Sequence, residues 1–301
     1  MRSLDAVARH MSAIEGLVVR TDEPLSRHTS FCLGGPARVW VAPSSVEQLQ
    51  QVARAVPKDA WAIIGAGTNV LCDDSGFEGV VVCTRSLRGS SVEGREVRAL
   101  AGTVLTDVIR LSVEGGLSGL ERLWGIPGTV GGAIAGNAGA FGAETFDCLQ
   151  RVTLIARGGA LVPQEVGDLT FGYRSGGVPA GHAIVEATWR LEPGDVGAMR
   201  AAMDSIRERR SATQPWSQPT AGCVFRNPKG DSAGRLIDHA GLKGARVGGA
   251  VVSALHGNFI VLDGPACASD VRELIRYVRE RVRDVTGVSL ETELKMIGSD
   301  A

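Results

Sequence analysis

Gly125-Ile126-Pro127-Gly128-Thr129-Val130-Gly131-Gly132-Ala133-Ile134-Ala135-Gly136-Asn137-Ala138-Gly139-Ala140-Phe141-Gly142 is the stretch on which the reading of this chain turns. A helical interior there is penalised by about 1 kcal/mol for each glycine relative to alanine. Several such penalties in succession need an offset. Close approach of the backbone to a large ligand supplies one, with successive N–H groups facing a pyrophosphate; tight helix packing is the alternative. The chain has 40 glycines, and their crowding between 115 and 142 sets this stretch apart from a flexible low-complexity linker. Upstream, Ile63-Ile64-Gly65-Ala66-Gly67-Thr68-Asn69-Val70 places a small-residue turn straight after a strand, where N–H groups and the Thr68 hydroxyl can receive a phosphate. Alone it is equally an ordinary tight turn. It lacks the third glycine of the Rossmann fingerprint, so a standard NAD-binding fold is not expected.

Working outward, residues 37–42, 61–64, 80–83 and 97–101 read as short strands. Ser45 followed by Gln48 has the capping-box pattern, and Val46, Leu49, Val52, Ala53 and Val56 give the next helix one apolar stripe. Val104, Val108 and Leu111 mark a helix stopped at Gly115-Gly116. Beyond the glycine stretch, 149–156 and 183–191 read as strands, with Gly158-Gly159 as a turn. Glu192-Pro193-Gly194 is the expected domain boundary. A helix over 196–210, an irregular 214–220 and a smaller mixed unit follow; the last helix starts near Ser269 with Val271, Leu274, Ile275, Val278 and Val282 on one face. The fold class is α+β, in at least two parts.

At 301 residues and 44% hydrophobic, the chain is long enough for two cores. A formal charge of -1 gives no diffuse attraction for nucleic acid or anionic lipid, so any anionic ligand must be held by local groups. No run approaches the eighteen apolar residues of a membrane span and the first residues lack a signal-peptide core, so neither membrane insertion nor export is expected and the cytoplasm is the expected compartment. Cys32, Cys72, Cys83, Cys148, Cys223 and Cys267 show no C-x-x-C spacing and read as thiols. No metal site is expected.

The two glycine segments, with Thr29-Ser30-Phe31, Gly34-Gly35-Pro36-Ala37, Asp74-Ser75-Gly76-Phe77-Glu78-Gly79 and Leu117-Ser118-Gly119-Leu120-Glu121, resemble the UDP-N-acetylenolpyruvoylglucosamine reductase family of peptidoglycan precursor synthesis, over about 25–298. The resemblance implies a two-lobed FAD-binding fold of the vanillyl-alcohol-oxidase kind over 1–193 (lobes 1–83 and 84–193) and a substrate domain over 194–301, with a final strand over 288–298 returning toward the flavin. It implies non-covalent FAD held at Gly65, Ala66, Gly67, Thr68, Asn69, Gly125, Ile126, Pro127, Gly128, Thr129, Gly132, Ala133, Asn137 and Ala138. NADPH is the implied electron donor and UDP-N-acetylglucosamine enolpyruvate the implied substrate. No obligate protein partner is expected.

Reduction of an enolpyruvyl ether needs a hydride on its terminal carbon, stabilisation of the carboxylate-conjugated anion, and a proton for the neighbouring carbon. Phe171-Gly172-Tyr173-Arg174-Ser175 matches the family's motif, which gives Arg174 the developing negative charge. Leu290-Glu291-Thr292-Glu293-Leu294 alternates, and periodicity alone leaves Glu293 solvated; the resemblance makes it the catalytic carboxylate and leaves Glu291 tolerant of change. Pro219-Thr220-Ala221-Gly222-Cys223-Val224-Phe225-Arg226-Asn227-Pro228 has Cys223 where the family most often has serine as proton donor. A thiol, with a reference pKa of about 8.5, is neutral at pH 7 and a stronger acid than an alcohol. Tyr173, Arg210, Asn227 and Lys243 are the implied substrate-binding residues. Two rival expectations are a flavin oxidase of the same fold, and a non-catalytic nucleotide-sugar sensor supported only by the cysteine.

Overall fold

The computed structural model describes residues 3–57 and 60–298. The first apolar stripe folds as the helix Val46–Ala55, burying Leu49, Val52 and Ala53. The Ser45 hydroxyl caps it, accepting from the Gln48 N–H at 3.2 Å. The reciprocal half of the box is displaced by one residue, since Gln48 Oε1 accepts from the N–H of Ser44 at 2.8 Å. This helix and Leu4–Ser12 share a core with a four-stranded sheet ordered Val18–Pro24, Pro36–Ala42, Phe77–Cys83, Trp61–Ile64. Val39, Val41, Val80 and Val82 alternate along their strands and meet Met11, Leu49 and Val52 on one face, the pattern a period of two requires.

A second sheet has five antiparallel strands, ordered Leu161–Glu165, Leu149–Ala156, His182–Arg190, Glu96–Leu100, Ser90–Glu93. The helices Leu105–Glu114 and Val130–Ala135 bury Leu105, Val108, Ile109, Val130 and Ile134 in its core, with Trp189 at the centre. The Trp189 indole N–H donates to the carbonyl of Thr145 at 3.1 Å, so the largest buried side chain keeps its polar atom satisfied.

The third sheet is a small antiparallel one, Arg246–Val247, Ala250–Val252 and Ile260–Leu262. It packs with the helices Ala233–His239 and Ala268–Thr286, and the stripe Val271, Leu274, Ile275, Val278, Val282 meets Phe31, Leu33, Leu71 and Phe225 in one core. Asp74 sits at the N-terminus of the long helix and accepts from the N–H of Ala268 (2.7 Å), the N–H of Ser269 (2.9 Å) and the Ser269 hydroxyl (2.6 Å). Burial opposes its charge, but these bonds and the nearby Arg272 outweigh that and hold its pKa below the usual carboxylate value.

The chain divides into two compact units that do not follow a cut at 193/194. One comprises 1–21, 38–66 and 79–209; the other comprises 22–37, 67–78 and 210–301. Glu192–Pro193, expected as a break, is a short strand paired with Leu117–Ser118 inside the first unit. One further expectation needs correction. The final strand is confined to Lys295–Ile297, parallel to Val70–Cys72, because Thr292 has only an isolated bridge to Phe225 and 288–294 otherwise forms no ladder. The helix in the glycine stretch is only Val130–Ala135. A Cβ on Gly131 would lie 3.0 Å from the Ala101 Cβ, so that glycine answers to packing of the helix on the turn after the strand Glu96–Leu100.

Candidate active site

Much of the backbone of the glycine stretch is tied to its own unit. The N–H groups of Ile126, Val130, Gly131 and Ala133 donate to the carbonyls of Leu123, Thr103, Ala101 and Thr129 at 2.8 to 3.1 Å. Those of Asn137 and Ala138 donate to Ile134 (3.1 Å) and Ala133 (2.8 Å). The Asn137 side chain also turns inward, so what its position offers a cofactor is not a side-chain amide. Within 125–142, Thr129 Oγ1 is the buried side-chain atom with no hydrogen-bond partner among the described residues. A Cβ on Gly65 would lie 2.3 Å from that same oxygen, so only glycine fits there. An unmet buried hydroxyl carries a deficit of about 1–3 kcal/mol, which a bound group rich in acceptor oxygens relieves. Both segments expected at FAD therefore meet at one unsatisfied donor, and the residues present fit that group.

Arg174 stands on a tight loop closed by the Gly172 N–H to Ser175 O (2.8 Å) and the Ser175 N–H to Gly172 O (3.0 Å). Its φ is 57°, a left-handed conformation whose strain for a non-glycine residue is about 1–3 kcal/mol and which clusters at functional sites. Its side chain is 19% exposed, although an arginine beside exposed Phe171 and Tyr173 would ordinarily reach into water. Nη2 donates to Gly139 O at 2.9 Å, Nη1 lies 4.0 Å from Glu144 Oε1, and the guanidinium carbon sits 4.8 Å from the centre of the Tyr173 ring.

The second unit contains the other expected residues. Gly67 takes a φ of 67°, and its carbonyl accepts from the Ser30 N–H at 3.0 Å. Asn69 O accepts from the Lys295 N–H at 3.1 Å, which ties the loop 67–69 to the last strand, and Asn69 Oδ1 is a second buried oxygen with no hydrogen-bond partner among the described residues. The backbone at 223–226 runs between two segments. Val224 N–H donates to Asn258 O, while Val224 O accepts from Glu293 N–H at 2.8 Å and Arg226 N–H donates to Glu291 O at 2.8 Å. This arrangement places Cys223 and Glu293 in one neighbourhood. Glu293 is half-buried and Glu291 exposed, a difference that alternation along a strand did not reveal. Asn258, whose amide bonds both polar groups of Phe225, locks the centre of this segment.

Arg210 is buried and donates to Gln214 Oε1 at 3.3 Å. Burial lowers its guanidinium pKa, and the nearby Cys223 pulls it back up. A positive charge therefore accompanies the thiol. Asn227 Oδ1 accepts from the Ala233 N–H at 3.0 Å, and Lys243 Nζ bonds Asp238 at 2.9 Å. Arg174 and Tyr173 belong to one unit, and Cys223, Glu293, Arg210, Asn227 and Lys243 to the other. Sequence reasoning missed Glu144, which has no local pattern to distinguish it from a surface carboxylate. Among the described residues no group of three histidine, cysteine, aspartate or glutamate side chains is placed to hold a metal ion, all six cysteines are free, and no helix is long and apolar enough to cross a membrane.

The α+β sheets and the glycine turns fit a flavoprotein of the vanillyl-alcohol-oxidase fold, and the family models and solved structures show that class. An FAD binding domain model matches residues 37–163, and the model of the UDP-N-acetylenolpyruvoylglucosamine reductase C-terminal domain matches 214–297. The chain belongs to the UDP-N-acetylenolpyruvoylglucosamine reductase family: it is 46% identical over 279 residues to the reductase of that name from Methylococcus capsulatus, covering 92% of each chain. The crystal structure of the corresponding Thermus caldophilus reductase superposes with a TM-score of 0.81 at 35% identity, covering 93% of this chain and 98% of that one. Berberine bridge enzyme from Eschscholzia californica, at 17% identity and a TM-score of 0.51 over 63% of this chain and 44% of its own, shares the fold alone.

Proposed function

We propose that this protein catalyses the NADPH-dependent reduction of UDP-N-acetylglucosamine enolpyruvate to UDP-N-acetylmuramate, in the cytoplasm, as a step of peptidoglycan precursor synthesis. The observation that carries this reading is the match to named reductases across nearly the whole chain; the resemblance assigns its chemistry to Arg174, Cys223 and Glu293. FAD, once bound, would supply hydride transfer from NADPH to the terminal carbon of the enolpyruvyl group. Residues 1–193 hold the cofactor, chiefly at Gly65–Asn69 and around Thr129, and 194–301 hold the nucleotide sugar through Arg210, Asn227 and Lys243, with Tyr173 contributed from the first region.

The protein's own groups manage the charge and the proton. As the terminal carbon gains its hydride, negative charge spreads into the substrate carboxylate. The guanidinium of Arg174, fixed before reaction, stabilises it without reorganising. Cys223 Sγ–H then gives its proton to the neighbouring carbon, which completes addition of one hydride and one proton across the double bond. The buried Arg210 guanidinium stands near the thiolate left behind. Glu293, held on the backbone beside Val224, orients the same intermediate.

Rapid-mixing absorbance separates the two half-reactions. The purified protein should be yellow, bleach with NADPH, and recover its colour on addition of the enolpyruvyl substrate. Cys223→Ala should bleach normally but reoxidise about 10²–10⁴ times more slowly, while Cys223→Ser keeps substantial turnover. Reoxidation of the alanine variant at the parental rate would remove Cys223 from the mechanism. Hydrogen peroxide produced in air, with no response to the enolpyruvyl substrate, would overturn the reductase reading.

A further inference from the structure

Asn137 is fully buried, and two of its three side-chain hydrogen bonds hold groups beside Arg174. Nδ2 donates to Glu144 Oε2 at 2.7 Å and to Gly172 O at 3.1 Å, while Oδ1 accepts from the Phe146 N–H at 3.3 Å. Its φ of 41° lies in the left-handed region, which asparagine tolerates better than most side chains. The groups that it grips stand on either side of the arginine. Gly172 closes the loop that holds Arg174 at positive φ. Glu144 turns its other oxygen toward Arg174 Nη1.

A hairpin completes the arrangement. Glu144 pairs directly with Gly139 across the strands Gly139–Ala140 and Ala143–Glu144. One rung therefore offers the same guanidinium a carbonyl, Gly139 O at 2.9 Å from Nη2, and a carboxylate, 4.0 Å from Nη1. A Cβ on residue 139 would come within 3.1 Å of Arg174 Nη1 and 3.0 Å of Glu144 Cγ, so the rung accepts no side chain between them. Asn137 joins this hairpin to the Arg174 loop. Had Glu144 been a surface carboxylate with no task, nothing would require its second oxygen to be held by a fully buried amide.

We infer that Glu144 and Asn137 are positioning residues for Arg174: together they fix the orientation of the guanidinium before it meets the carboxylate of the substrate. This rests on the reading of Arg174 given above. A long side chain left to find its own rotamer would have to be ordered during the reaction, whereas a preset one stabilises the developing charge without that penalty. At 4.0 Å the Glu144 carboxylate steers the guanidinium from beyond hydrogen-bond distance and leaves its charge available to a substrate anion.

Glu144→Gln keeps the shape of the side chain and an oxygen for Asn137 Nδ2, and removes the charge. In the flavin-loaded enzyme, substrate-driven reoxidation should slow about tenfold, with NADPH-driven bleaching and the unfolding midpoint unchanged. The affinity for UDP-N-acetylmuramate, measured by calorimetry, should fall about fivefold. In an Arg174→Ala background the same substitution should change either quantity by less than about twofold, because both act through one group. Asn137→Ser should show the same split between half-reactions; equal slowing of both would overturn its share. If Arg174→Ala slows reoxidation and Glu144→Gln does not, or if their losses multiply, the positioning role falls and the role of Arg174 stands. If Arg174→Ala reoxidises at the parental rate, both fall.

Discussion

Thr129 carries a hydroxyl that the folded protein shuts away from water without giving it a partner. Replacing such a group with an apolar one of the same shape removes an unmet desolvation penalty, so Thr129→Val should stabilise the flavin-free protein by up to about 1 kcal/mol. The same change should weaken FAD binding, because the hydroxyl is then absent where the cofactor needs it. Thermal unfolding of the flavin-free form and a flavin fluorescence titration check the two halves; a lower midpoint in the flavin-free variant would mean that the hydroxyl is already bonded. At this scale the sequence was legible only in part. The two glycine segments pointed to a cradle, yet what fits one is a single hydroxyl and a missing Cβ rather than a row of N–H groups, most of which neighbouring loops and the short helix take up. Arg174 was singled out by the resemblance of its motif. Its positive φ and its hold on Gly139 depend on residues 35 positions away, which no local pattern encodes.

The helix Ala268–Thr286 was legible because its stripe is strictly periodic over five apolar positions, and Gly287 ends it at a φ of 72°. Its cap was not, since part of it comes from Asp74, 194 residues earlier. Two of the three bonds at this carboxylate satisfy helix-terminal N–H groups, and all three place negative charge at the positive end of the dipole. Asp74→Asn should therefore lower stability by about 1 kcal/mol near neutral pH. The pKa of Asp74 is lower in the folded state than in the unfolded chain, so its contribution is fully present above the unfolded value of about 3.9 and is lost as pH falls through the folded value. The gap in unfolding midpoint between parent and Asp74→Asn should stay constant from pH 7 to about 5 and narrow below about 4. A gap that widened in acid would contradict this assignment. The segment 288–294 failed the same kind of reading for the opposite reason. Its apolar and charged residues alternate as in a strand, but its partners are the bent backbone at 224–226, and the half-burial of Glu293 follows from that partner.

Taken whole, the chain enters its second unit twice before it stays there. Phe31, Leu33 and Leu71 arrive on those early passes and lie buried in the core of a unit otherwise built from residues 221–294. Asp73 pairs with Arg272 at 2.8 Å, Asp74 caps the long helix, and Val70–Cys72 supplies the strand on which Lys295–Ile297 pairs. A boundary at 193/194, natural from a Glu-Pro-Gly break, does not describe what folds together; composition along a chain cannot show that two short early segments return to complete a distant core. A fragment 194–301 should therefore lack a cooperative fold. Three buried side chains of leucine and phenylalanine size stabilise a core by about 2–5 kcal/mol each, which together rivals the whole stability of a domain of this length. Circular dichroism during thermal unfolding should show a broad, non-cooperative loss of helix, and near-ultraviolet ellipticity should be weak. Supplying a peptide of residues 22–37 in trans should not restore the transition, because the 67–78 passage is still missing. A sharp unfolding transition in the isolated fragment would show that the early passages decorate a core able to form without them.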